Sequence, residues 1–386
     1  MNKLNDVYIT DIAAFMPNRP VSNDEMENIL GMVGGKPSRA RKLILRNNGI
    51  KSRYYVLDPK TRQPKYTNAQ LAANAVKKLA SDYFAIDQIQ GISAGTTVAD
   101  QFNPGHGVMV HGELENIPCE VITTAGICLS GLAALKYSYF SVLCGDHENS
   151  VAVSSEASSL HFKSEYFEGE IEEKVKALEK KPELAFEKDF LRWMLSDGAG
   201  AVLIENKPRK GRISLKIDWI DIYSFANEME TCMYAGAQKL EDGSIKGWRN
   251  YTLEECNAQS ILGIKQDVKL LNDKVVYYTV KKTLERIIAR RGIKPEDIDH
   301  FLPHFSSYYF KPKVMEELEG MGFPIPEEKW YTNLSTKGNT GSASIYIMLE
   351  EFVRSKNLKT GEKILCYVPE SGRFSSGFML LTAVEN

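Results

Sequence analysis

The sequence predicts an α/β layered fold in which one unit is built twice. Strand-like and helix-like runs alternate along all 386 residues, the pattern of layered α/β domains. The order of elements then starts again after "KPRKGR" at 207–212, the only basic, turn-rich break near the middle. Sliding the chain by roughly two hundred residues lays the Cys128 helix and "VAVSSE" over the Ser342 helix and "LCYVPE". Glu156 then falls opposite Glu370.

In order, "VYITDIAAFMP" reads as a strand ending in a loop. "NAQLAANAVKKLASDY" carries apolar residues at helical spacing behind a Thr67 cap. "IQGISAGTTVAD" is a buried strand entering a polar loop, and "CLSGLAALKYSYFSVLCG" a mostly apolar helix closed by Gly145. "SVAVSSEAS" and "AGAVLIEN" are short β-rich runs. In the second half "ISLKIDWIDIYSF" is strand-like, and "VVYYTVKKTLERIIARRG" is a long helix ending at Gly292. The strand-to-loop "IDHFLPHFSS", the helices "KPKVMEELEGMG" and "TGSASIYIMLEEFVRSKN", and the strand "KILCYVPES" follow. The halves are 1–206 and 207–386. Segment 157–190 has no counterpart; with Ile171, Val175 and Leu178 on one stripe it reads as an inserted helical cap or a solvated excursion.

Composition narrows the function. The chain has 48 basic against 50 acidic residues, a balance that gives no footprint for nucleic acid. The opening residues break their apolar runs with Asp and Pro, so no secretory leader is expected. No stretch approaches the ~20 apolar residues of a membrane span. The six cysteines (119, 128, 144, 232, 256 and 366) show no CxxC, and the six histidines no HExxH. A reduced, cytoplasmic protein without a metal site is expected.

Three stretches carry chemistry. "TTAGICLSG" puts Cys128 at what reads as a helix start, where unpaired N–H groups and the helix dipole favour thiolate. A small buried cysteine in tight packing fits there too. His304 sits in "FLPHFSS", where a buried strand becomes a loop, and Asn339 in "STKGNTGSAS", a glycine-flanked turn feeding a helix. Together they set a thiol, an imidazole and an amide on comparable strand and helix ends, where layered α/β proteins build sites.

With these motifs the sequence resembles the thiolase-fold ketosynthases, most closely the ketoacyl-ACP synthase III branch, over nearly its whole length. "GTTVADQFNPG" is similar to the family's Thr-Thr loop, "GICLSG" to its nucleophile site and "SDGAGAVLIEN" to its Gly-Asp-Gly-Ala-Gly-Ala strand. "PHFSS" sits at the family histidine, "KGNTGSAS" resembles the asparagine motif and "PESGRFSSGFMLL" the closing hairpin. The resemblance implies a duplicated five-layered αβαβα thiolase-like fold and no cofactor beyond thioester substrates. Cys128 would accept an acyl group from CoA or acyl carrier protein. His304 and Asn339 would stabilise the enolate of a malonyl or β-ketoacyl thioester. The N–H groups of Cys128 and Gly372 would form the oxyanion hole, and Phe102 would reach the partner's acyl pocket in a homodimer; core packing is the plainer role for Phe102.

Three departures stand out. His304 is followed by Phe-Ser-Ser in place of Gln-Ala-Asn, Arg373 replaces a loop glycine, and the 157–190 segment is long. With Glu156 directly ending a strand, they resemble the ketosynthase/cyclases of dialkylresorcinol and bacterial stilbene pathways, which form 2,5-disubstituted cyclohexane-1,3-diones. Glu156 would then be the cyclisation base or, alternatively, a strand-end carboxylate capping the next turn. A starter synthase of fatty-acid synthesis, a Cys-His-Asn thioester hydrolase and an inactive ketosynthase subunit are the competing readings. The hydrolase predicts neither the duplication nor "SDGAGA", and an inactive subunit usually lacks the cysteine.

Overall fold

The computed structural model describes residues 4–38, 41–115, 117–166 and 191–385. Its main sheet contains β1 Tyr8–Phe15, β2 Gly91–Thr96, β3 Glu120–Ala125, β4 Asn149–Glu156, β5 Gly198–Glu205, β6 Ser214–Tyr223, β7 His300–Pro303, β8 Lys363–Pro369 and β9 Ser376–Val384. Their spatial order is β7-β8-β9-β6-β1-β5-β4-β2-β3. Either side of the β1–β6 contact the same pairings recur. β4 with β5 and β8 with β9 are antiparallel, and β2 with β4 and β7 with β8 are parallel. β2 pairs in parallel with β3. The matching place beside β7 holds only a single parallel bridge, Phe301 to Trp330.

The main helices are α1 Asn68–Lys77, α2 His106–Leu114 and α3 Leu129–Leu143, then α4 Val268–Arg291, α5 Lys311–Gly320 and α6 Ser344–Ser355; α4 passes through a π-helical stretch at Tyr277–Lys282. α1 and α2 cover the outer face of the first-half strands. α3 packs against strands of both halves and shares the middle with α6. α4 lies against β9, with α5 beyond it. The result is the expected five layers, αβαβα.

Side-chain alternation explains why the layers stack. Along β5, Ala199, Ala201 and Leu203 join the core under α1 and α2, while Val202 and Ile204 join the central one. Along β8, Ile364, Cys366 and Val368 face the centre, while Leu365 and Tyr367 face the layer of α4. Both faces of each half-sheet are therefore covered, which is why these strands read as continuous apolar runs. Thr67 caps α1 in a full capping box with Gln70, and Gly292 ends α4 at φ 66°.

The central helices touch where they start. A Cβ at Gly131 would lie 2.2 Å from the Ser342 carbonyl oxygen, so only glycine permits the crossing. The Tyr346 hydroxyl donates to the Gly131 carbonyl at 2.7 Å. The loop 207–212 links β5 to β6. Of the segment expected as a helical cap, residues 157–166 form two short 3-10 turns; the rest of it, with Ile171, Val175 and Leu178, lies outside the described residues.

Candidate active site

Cys128 is the residue immediately before α3 and is buried. It forms part of the wall of two cavities. One is lined by Cys128, Glu156 and Asn339 with apolar Val98, Met194 and Leu271; the other by Cys128 and His304 with Val275, Phe305 and Phe310. Ser306 and Ser371 line both. Helix position alone does not activate the thiol. Burial, together with the carboxylates of Glu156 and Glu370, pushes the Cys128 pKa up, so the resting sulfur is protonated. Desolvation here works against the helix start, whose N–H groups and dipole alone would favour thiolate.

His304 stands just beyond β7, its backbone N–H donating to the Tyr367 carbonyl at 2.8 Å. Its ring is buried, and Nε2 has no hydrogen-bond partner among the described residues. Burial pulls its pKa down to about 4, so the imidazole is neutral at physiological pH. A neutral ring can carry its proton on Nε2 and donate it to a substrate oxygen.

Asn339 is fixed by both backbone groups: its N–H donates to the Met194 carbonyl at 3.0 Å and its carbonyl accepts from Ser196 N–H at 2.9 Å. These bonds tie the asparagine turn to the segment leading into "SDGAGA". The side-chain Oδ1 accepts the Gly341 N–H at 3.0 Å, which orients the amide and leaves Nδ2 as a donor for the cavity it lines. Asp197 of the "SDGAGA" run anchors the same region, accepting from Val56 N–H at 2.7 Å and Ser159 N–H at 2.8 Å.

Glu156 ends β4, and Oε1 takes all of its hydrogen bonds: Thr97 N–H at 3.1 Å, Thr97 Oγ1 at 2.6 Å, Ser342 N–H at 3.1 Å and the Ser342 hydroxyl. Burial raises its pKa against the pull of these donors. Oε2 is left for the cavity. Gly341, at φ 53°, is needed beside it, since a Cβ there would approach Glu156 to 3.0 Å. The glutamate is thus more than a cap on the next turn, because half its donors come from the other half of the chain.

Two expectations meet a different arrangement. The Gly372 N–H assigned to the oxyanion hole already donates to Glu370 Oε1 at 2.6 Å. Phe102 is not core: it is 77% exposed and stacks on Trp248 of its own chain, centroids 5.5 Å apart. Arg373 has a clear local role, donating through Nε and Nη2 to the Met229 carbonyl at 2.9 and 2.7 Å. His161 shares the cavity of Glu156 and Asn339, and no sequence signal marked it. The Ser342 hydroxyl and Ser306 were likewise inside quoted motifs but without a role.

Comparisons with known proteins bear on the fold. Residues 288–380 match the family model described as 3-oxoacyl-[acyl-carrier-protein (ACP)] synthase III C terminal. β-Ketoacyl-[acyl-carrier-protein] synthase III of Clostridium perfringens strain SM101 is 23% identical over 363 residues, covering 94% of this chain and 95% of that protein. The enzyme of the same name from Xanthomonas campestris strain 8004 is 22% identical, covering 97% of each. Among solved structures, the tetronic acid condensing enzyme AbyA1 superposes with a TM-score of 0.75 at 17% identity, covering 98% of this chain and 100% of that one. A variant of Xanthomonas campestris OleA gives 0.71 at 19% identity, covering 98% and 97%. The 3-oxoacyl-[acyl-carrier-protein] synthase III of Aquifex aeolicus gives 0.68 at 18% identity, covering 97% and 99%. The fold is the thiolase fold that these enzymes share.

Proposed function

We propose that this thiolase-fold chain is a condensing enzyme of the synthase III kind, an acyltransferase that forms a carbon–carbon bond by Claisen chemistry. One observation carries the reading. A buried cysteine at a helix start lines two adjoining, largely apolar cavities that also share Ser306 and Ser371, and the Asn339 amide in one and the unpartnered Nε2 of His304 in the other both border it. Two cavities meeting at one nucleophile suit a reaction between two acyl chains.

In the first half-reaction Cys128 sulfur attacks the thioester carbonyl of acyl-CoA or acyl carrier protein. Its proton is taken up by the departing thiol, and an acyl-cysteine remains. In the second, a malonyl thioester loses CO2 or a β-ketoacyl thioester loses a methylene proton. The resulting enolate oxygen is held by two neutral donors, His304 Nε2–H and Asn339 Nδ2–H, aimed at charge as it develops. The enolate carbon attacks the acyl group, a carbon–carbon bond replaces the carbon–sulfur bond, and the departing Cys128 thiolate takes up the methylene proton, or after decarboxylation one from solvent, to restore the thiol.

The finer proposal is that a β-ketoacyl thioester is the second substrate and that cyclisation to a 2,5-disubstituted cyclohexane-1,3-dione follows, as in dialkylresorcinol and bacterial stilbene formation. Glu156 supports it: a buried carboxylate of raised pKa in the cavity of the acyl-cysteine is suited to remove the second proton. We further propose a homodimer. Among the described residues β3 is the last strand of the sheet and pairs only with β2, an edge suited to a second subunit, and the exposure of Phe102 supports the same reading. No helix among the described residues is long and apolar enough to cross a membrane.

The test is direct. The purified protein is treated with a panel of acyl-CoAs, the mass increase is mapped to a residue, and malonyl- or β-ketoacyl-ACP is then added. An adduct on Cys128 followed by a carbon–carbon-bonded product is expected, and a cyclic product is lost in Glu156→Gln while acylation and condensation persist. Acceptance of malonyl-ACP alone would favour the starter synthase, the activity named for the curated relatives. Release of free acid alone would identify a hydrolase.

A further inference from the structure

We infer that the Glu370 carboxylate plugs the oxyanion hole of the resting enzyme, holding the Gly372 N–H until an acyl thioester displaces it. The inference rests on the condensing-enzyme reading, which assigns that N–H to the attacked carbonyl. Glu370 lies one residue beyond β8 and is buried. Its Oε1 accepts Gly372 N–H at 2.6 Å; burial pulls the Glu370 pKa up, and the N–H donors of the loop pull against it in favour of the carboxylate. Oε2 is held less closely, by Ser375 N–H at 3.1 Å and Arg373 N–H at 3.4 Å.

A carbonyl oxygen becoming an oxyanion cannot share this donor with a carboxylate, because the two negative oxygens would repel at contact distance in a water-poor site. The carboxylate has somewhere to go. Glu370 borders a cleft open to solvent, whose other walls include Ser130, Thr231, Arg373 and Ser375. Position 372 is glycine for the same reason: a Cβ there would lie 2.1 Å from Glu370 Oε1 and 2.8 Å from Ile127 Cδ1. The Arg373 guanidinium, engaged with Met229, leaves the carboxylate without a salt bridge among the described residues. In the plugged state the charge also bears on Cys128 and favours its protonated form. Glu370 is therefore a positioning residue that keeps donor and thiol idle together.

Peptide mass spectrometry of the full chain can read two rates at Cys128: acylation by an acyl-CoA, which needs the oxyanion hole, and alkylation by iodoacetamide, which does not. Glu370→Gln keeps shape and an acceptor but removes the charge; Glu370→Ala removes the plug. Acylation is expected to rise in both, by on the order of tenfold in Glu370→Ala, and to rise more than alkylation. Equal rises in both rates would reduce Glu370 to an effect on the thiol pKa and overturn the plug. Slower acylation in Glu370→Gln would make it a scaffold for the loop, with the same consequence. Should Glu370→Ala fail to fold, the acylation-to-alkylation ratio of Glu370→Gln decides alone, an unchanged ratio counting against the plug. If wild type itself is never acylated, the condensing-enzyme reading falls and takes the inference with it.

Discussion

The two halves bring the same pair of features to the site, a strand ending at a buried glutamate and a helix that starts nearby, and they connect them differently. Glu156, at the end of β4, is held by Thr97 of its own half and Ser342 of the other. Glu370, just beyond β8, is held by Gly372, Arg373 and Ser375 of its own loop. One glutamate stitches the halves together, while its counterpart folds back on the segment that carries it. The helix starts differ in the same spirit: the first half offers the Cys128 thiol, the second the Ser342 hydroxyl. Duplication supplies the frame, and a handful of hydrogen bonds divides the work.

The largest effect expected from that division is on the thiol. Cys128→Ala should eliminate both acylation and condensation, seen by intact-protein mass and product analysis, at a stability cost of only ~1 kcal/mol for one lost heavy atom. Measurable acylation of the variant would move the nucleophile elsewhere. His304 and Asn339, both from the second half of the chain, should act on the second half-reaction. His304→Ala and Asn339→Ala are expected to keep Cys128 acylation and lose condensation about 10²–10³-fold each, ~3 kcal/mol of donor stabilisation. A variant defective only in acylation would erase the division between the halves.

Next comes the seam. Gly131→Ala puts a methyl group against the Ser342 carbonyl and should cost about 1–3 kcal/mol in urea unfolding, the usual range for overpacking. A neutral result would mean that the helix starts are not in firm contact. A smaller effect is pH-dependent. The folded pKa of His304, about 4, lies below its ordinary 6.5; between these values the unfolded chain binds the proton and the folded chain does not. Its contribution to stability is therefore complete above pH ~6.5 and is lost as pH falls toward 4, with a slope of up to ~1.4 kcal/mol per pH unit. Asp197, raised to about 7 by burial, has the opposite sign, so the difference between wild type and His304→Gln isolates the histidine. A difference that does not vary between pH 4 and 6.5 would contradict the neutral imidazole. The mildest expectation is a ranking: iodoacetamide should reach exposed Cys144 before buried Cys128, which peptide mapping after brief exposure checks.

The layering was legible because period-2 and period-3.6 patterns survive in β5, β8, α1 and α6, and because the two halves repeat in register. Cys128, His304 and Asn339 could be picked out because each sits where an apolar run meets small or polar residues. What was hidden depends on contacts between distant residues. β3 was missed since its face is half-exposed and carries Glu and Thr. The capture of Gly372 N–H by Glu370 depends on how a loop closes, and the raised pKa of Cys128 on how deeply the fold buries it and then on the nearby Glu156 and Glu370; neither has a local signature. Phe102 shows the converse, a residue whose surroundings in the isolated chain differ from those the motif implies.

The contact of Gly131 with Ser342 also bears on how the molecule breathes. Amide protons exchange with solvent through openings whose cost tracks how much packing and hydrogen bonding must be broken. The first turns of α3 and α6 are buried and lie close together here, and the Glu156–Ser342 bonds tie the approach to α6 to the end of β4. Freeing their amides requires separating the two halves, not fraying a helix end. In deuterium exchange, the turn that follows Cys128 should therefore be among the last to label, while the two-stranded hairpin Ala237–Lys239 with Ile245–Gly247, outside the main sheet, labels early. The proposed reaction centre would then sit among the stiffest of the described residues.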